Sequence, residues 1–67
     1  MTVAKVTEIT SSSTKDFEDA IQSGITRAAK TLENIRGAWI KDMKVNVADG
    51  RVTEYRVRMK ITFVLKD

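Results

Sequence analysis

Trp39, Arg56, Arg58 and Lys60 are the residues of this chain best equipped for chemistry, and the chemistry they suit is recognition. An indole offers a face on which planar rings stack, and cations around it attract anionic groups. Positions 56, 58 and 60 alternate, so in a strand the three cations share one face. Catalysis is not expected. The chain has no histidine and no cysteine, so the serines and threonines near residues 10–14, with Ser23 and Thr26, lack an imidazole to activate them. Glu18 and Asp19 could be read as a paired-carboxylate site, but at a helix start they are expected to stabilise the dipole and face solvent. Asp42 and Asp49 lack the alternate acidic spacing of a calcium loop, and no metal site is expected within one subunit.

These residues depend on three kinds of element. Residues 3–10 (VAKVTEIT) are rich in β-branched types and predict a first strand, with Ser11, Ser12 and Ser13 as a loop behind it. Ser13 and Asp16 have capping-box-like spacing. Phe17, Ala20, Ile21, Gly24, Ile25, Ala28, Ala29 and Leu32 then recur at intervals of three and four, which predicts one long amphipathic helix of about 19 residues, from near Thr14 to Leu32, with Ile35 closing its end. Gly24 falls on the buried stripe and permits close backbone approach.

Asp49-Gly50 between two alternating segments predicts a β-hairpin with a type I′ turn. A ladder running back from it without a bulge pairs Val47 with Val52, Val45 with Glu54, Met43 with Arg56, Lys41 with Arg58 and Trp39 with Lys60. In the last strand Tyr55, Val57, Met59, Ile61, Phe63 and Leu65 lie on one side, opposite Glu54, Arg56, Arg58, Lys60 and Thr62. The expected fold class is α+β: a β-α-β-β order in which a three-stranded antiparallel sheet packs on the helix. Its second face carries Gly37 and Trp39 beside the row of cations.

With 67 residues the chain is read as a single domain, 1–67. A core of that size supplies only about 3–5 kcal/mol, so small domains lean on disulfides, a metal or oligomerisation. Without cysteine or histidine, oligomerisation is the expected support, and the open sheet edges are where copies would meet. The formal charge of +3 permits an anionic partner without requiring one. No apolar run approaches the roughly 20 residues of a membrane span, and no secretory signal is evident, so a cytoplasmic location is expected.

The chain resembles the dodecin family, whose subunits share the β-α-β-β order and assemble as hollow dodecamers. The resemblance covers almost the whole chain and rests on SSSTKDFEDAI, AAKTLENIR, VADGRVTEYRVRMKI and the closing TFVLKD. It implies a homo-dodecameric binding or storage shell with flavin (FMN, FAD or riboflavin) as the default ligand. In flavin-binding members a tryptophan follows the equivalent of Ile35-Arg36 and stacks on the isoalloxazine, while a glutamine on the last strand hydrogen-bonds its edge. Here those positions hold Gly37 and Arg56. Glycine removes the stacking surface, and arginine donates without accepting, which leaves flavin affinity weak, altered or lost. Many relatives also carry Arg-Gly where this chain has Lys44-Val45.

Gly37, Trp39, Lys44, Arg56 and Arg58 are therefore the candidate ligand-binding residues. Trp39, two positions beyond Gly37, is either a relocated stacking platform for a planar anionic ligand or an anchor at a subunit interface. Two alternatives to the flavin-type shell stand beside it. One is a nucleic-acid-binding module using Trp39, Arg56, Arg58 and Lys60, disfavoured because one aromatic is a thin platform and Glu54 interrupts the row. The other is a purely structural oligomeric shell.

Overall fold

The computed structural model describes residues 2–66. Its elements are β1 (Ala4–Ser13), α1 (Phe17–Ala28), β2 (Ile35–Ala48) and β3 (Arg51–Val64). The three strands form one antiparallel sheet in the order β1-β3-β2, so the first strand joins the free side of the hairpin's last strand. Placing β3 in the middle follows from its pattern: Val57, Met59 and Ile61, on its apolar side, are completely buried.

The serines are not a loop. β1 continues through them, pairing Ser11 with Val57, Ser12 with Arg56 and Ser13 with Tyr55. Their small size is what the packing uses, because a β-carbon added to Gly24 would stand 2.9 Å from Ser11 Cβ and 2.6 Å from Met59 Cε. The buried stripe of α1 is Ala20, Gly24 and Ala28, one small residue per turn, flanked by half-buried Phe17, Ile21 and Ile25. Ala29, expected on that stripe, is exposed.

The helix has 12 residues and not about 19, for reasons found at both ends. Asp16 is extended (φ −170°, ψ 176°) and its Oδ1 accepts from the Asp19 amide at 2.7 Å, so Asp16 caps the helix in place of Ser13. Ser13 serves the preceding turn instead: its Oγ accepts from the Lys15 amide and donates to Asp19 Oδ2 at 2.7 Å. Asp19 is thereby half-buried and bonded, not solvated. At the other end the Lys30 and Thr31 amides reach back three residues, to Arg27 and Ala28. That tightened last turn delivers the chain to Asn34, whose positive φ of 60° redirects it into β2. Ile35 consequently opens β2, paired with Phe63, rather than closing the helix.

Asp49 (φ 53°) and Gly50 (φ 73°) both adopt the positive φ of a type I′ turn. The ladder beyond it has register shifts at Asn46/Val47, Ile40/Asp42 and Ile35/Gly37. The first leaves Thr53 of β3 as the extra residue and the second leaves Lys41 of β2, so the two cancel. Val47–Val52 and Trp39–Lys60 pair as expected, but between them Asn46 faces Glu54, Val45 faces Tyr55, Lys44 faces Arg56 and Asp42 faces Arg58. Met43 and Val45 accordingly move to the helix side of the sheet, and Lys44 and Asp42 to the other.

Replacing Gly24 by alanine normally favours a helix by about 1 kcal/mol. Here two contacts below 3.0 Å reverse the sign, because Ser11 Cβ belongs to a paired strand and does not yield. Gly24→Ala should destabilise by about 1–3 kcal/mol, read as a lower midpoint in urea unfolding.

Twelve helical residues span about 18 Å, whereas the molecule extends 52 Å. The helix packs on β1 and β3. Met43 (50 % exposed) and Val45 (39 %) therefore lie on the helix side of β2 only partly covered by their own chain.

Candidate ligand-binding face

The face turned away from α1 is assembled row by row across the strands. Glu8, Lys60 and Trp39 form one row; Thr10, Arg58 and Asp42 the next; Ser12, Arg56 and Lys44 a third. Beyond Trp39 lies a row of Val6, Thr62 and Gly37. Gly37, Trp39, Lys44, Arg56 and Arg58 thus share one face, and Gly37 and Trp39 project from it two positions apart in register.

Its electrostatics are set by partial neutralisation. Arg58 bonds Asp42 through Nη2 and lies 3.9 Å from Glu8 through Nε. Arg56 is held less closely, at 3.7 Å from Glu54, while its Nε donates to Ser12 Oγ at 3.4 Å. Glu54 also accepts from Asn46 Nδ2 at 3.0 Å. Among the described residues, Lys41, Lys44 and Lys60 have no carboxylate within 4 Å. The ammonium groups of Lys41 and Lys60 stand 5.5 and 5.8 Å from the Trp39 ring centre, a cation–π geometry. Trp39 itself is 66 % exposed.

A recess of about 250 Å³ is lined by Thr10, Asp42, Lys44, Arg56 and Arg58. On the opposite side, between α1 and β1, a groove of about 440 Å³ runs past Ile9, Gly24, Arg27 and Leu32 and includes none of the five candidate residues. Asp42 and Ser12 belong to the face but escape sequence reasoning. An unbulged ladder turns Asp42 to the wrong side, and the serines read as a loop. Gly37 is exposed, and a β-carbon there would meet nothing within 4 Å. The arrangement can stack a ring and attract an anion.

A family model described as dodecin matches residues 3–66. The chain belongs to the dodecin family. It is 31 % identical to the dodecin of Thermus thermophilus over 65 residues, covering 97 % of this chain and 94 % of that one. Among solved structures, the dodecin from Streptomyces davaonensis superposes with a TM-score of 0.94 at 30 % identity, covering 98 % of this chain and 97 % of the other. A calcium-chelating antigen of Mycobacterium tuberculosis, described as a calcium dodecin with a novel calcium-binding site, gives 0.82 at 26 % identity, over 96 % and 91 % of the two chains. Among the described residues of the present dodecin, no group of three or more Asp, Glu, His or Cys side chains is placed to hold a metal. No helix is long and apolar enough to cross a membrane.

Proposed function

We propose that this dodecin is the subunit of a homo-dodecameric shell that binds a planar anionic small molecule, of flavin type, on the outer face of its sheet. The observation that carries the reading is Trp39, exposed in the single chain and flanked by two ammonium groups within 5.8 Å. An indole with cations over its ring provides an aromatic surface and positive charge together, and a stacked ligand takes the place of an ammonium on that face. Family membership supports the flavin class of ligand, and the partly exposed Met43 and Val45 support association of copies. Glycine at position 37 and arginine at position 56 set the affinity for flavin below that of a site with tryptophan and glutamine.

The nucleic-acid reading loses ground on this face. Glu8, Asp42 and Glu54 hold Arg58 and Arg56, which breaks the continuous positive track that a phosphate backbone needs.

A second reading of Trp39 is favoured by the same exposure: a large aromatic left in solvent by one chain is the usual anchor between two. Flavin titration followed by fluorescence quenching separates the two roles. If Trp39 stacks on the ligand, Trp39→Ala weakens FMN binding by roughly 5- to 150-fold, corresponding to about 1–3 kcal/mol, at unchanged particle mass. If it anchors subunits, the mass falls first. Absence of quenching at any accessible concentration of the parent protein would remove flavin from the proposal.

A further inference from the structure

Residues 39–47 of β2 run against residues 52–60 of β3, equal lengths of chain that pair at both ends, Trp39 with Lys60 and Val47 with Val52. Between those ends Lys41 is left over on β2 and Thr53 on β3. If residues 42–46 slide by one position, both leftovers find partners and both bulges vanish. Met43 then opposes Arg56, Val45 opposes Glu54 and Lys41 opposes Arg58, while neither the Asp49-Gly50 turn nor Trp39 has to move. Such a slide exchanges the two faces of the segment, because side chains alternate along a strand.

The contacts that select the bulged register are each modest within one chain. On the helix side Met43 lies opposite Val57 and Val45 opposite Tyr55, yet the two remain 50 % and 39 % exposed. On the other side Asp42 and Arg58 form an ion pair between two half-exposed groups, an arrangement that contributes little. Asn46 Nδ2 donates to Glu54 at 3.0 Å, and the exposed Thr53 hydroxyl donates to the Asn46 carbonyl at 3.2 Å. Against these stands the continuous ladder, which restores regular backbone pairing at two positions.

We propose that residues 42–46 are a register switch: the lone subunit exchanges between the bulged and the continuous pairing, and a second copy packed on Met43 and Val45 locks the bulged one. A contact made in only one of two states shifts the population towards it. In the continuous register Met43 and Val45 turn to the outer face and take Asp42 and Lys44 away from it, so the candidate ligand-binding face is complete only in the locked form. The locking rests on the reading that this chain is homo-oligomeric; the exchange itself does not.

The test is disulfide trapping in the full chain. Lys44→Cys with Arg56→Cys faces its partner in the bulged register, whereas Met43→Cys with Arg56→Cys, and Val45→Cys with Glu54→Cys, do so only in the continuous one. Cysteines on opposite faces of a strand pair cannot bring their β-carbons to the roughly 3.5–4.5 Å that a bridge needs. Each double variant is oxidised with glutathione disulfide across a dilution series, with particle mass read by sedimentation and intramolecular bridges counted by mass spectrometry. The proposal expects the Lys44–Arg56 pair to close at every concentration. It expects the other two pairs to close in dilute solution, roughly 10- to 1,000-fold more slowly as befits a minor state of about 0.1–10 %, and to stay open in the assembly. If both of those pairs stay open at every concentration, the switch is overturned. If they close equally fast in the assembly and in single subunits, locking by a second copy is overturned. Closure in a chain that never associates would keep the switch and remove the homo-oligomeric reading.

Discussion

Gly37→Trp is expected to raise the affinity for FMN by roughly 5- to 150-fold, the gain of one aromatic stacking contact worth about 1–3 kcal/mol. Position 37 is exposed, and a β-carbon there meets no atom within 4 Å, so the indole enters open space. It would project from the same face as Trp39, about 6–7 Å away along β2. Tryptophan is also better suited to a strand than glycine, so the fold does not suffer. Fluorescence quenching of FMN, titrated against parent and variant side by side, reads the effect. Unchanged quenching would show that the outer face does not meet the ring at this position, and the flavin-type reading of the sheet would fall with it.

The second large effect concerns the core. Among the described residues the buried apolar set is Ala20, Ala28, Val57, Met59 and Ile61, and Met59 has the largest side chain among them. Its Cε lies 2.6 Å from where a β-carbon on Gly24 would stand, so its removal opens the contact between helix and central strand. Met59→Ala should cost about 2–5 kcal/mol, as much as the whole margin of about 3–5 kcal/mol that one small core provides. The variant should therefore be folded only as far as assembly supports it, with a thermal midpoint that falls steeply on dilution. A midpoint within a few degrees of the parent at every concentration would mean that the helix–sheet contact is not the centre of stability.

Much of this fold was legible because its periodicities are strong. The alternation from Tyr55 to Phe63 anticipates a strand with one buried side, though not its central place in the sheet, and Asp49-Gly50 anticipates the turn, since both residues take positive φ. The helix boundaries are not legible in the same way, because apolar spacing says which face is buried and not where capping stops the helix. Asp16 and the three-residue hydrogen bonds after Arg27 decide that, and both are local competitions of hydrogen bonding. The facing of residues 42–46 is hidden in the sequence because neither Thr53 nor Lys41 marks a bulge by its chemistry, and one extra residue exchanges the two sides of a strand. Trp39 stands opposite Lys60, as an unbulged ladder also has it, only because the two shifts cancel. Asp42, which neutralises Arg58, became visible only with the register.

A molecule 52 Å long with a helix of only 12 residues leaves apolar surface that one chain does not fully cover, Val47 and Met43 among it. The account therefore stands on association of copies, and light scattering of the purified chain in dilute solution tests it most directly. It predicts a single species of about twelve times the 7.5 kDa subunit mass, closed and therefore uniform. A stable, folded particle with the mass of one or two chains would contradict it.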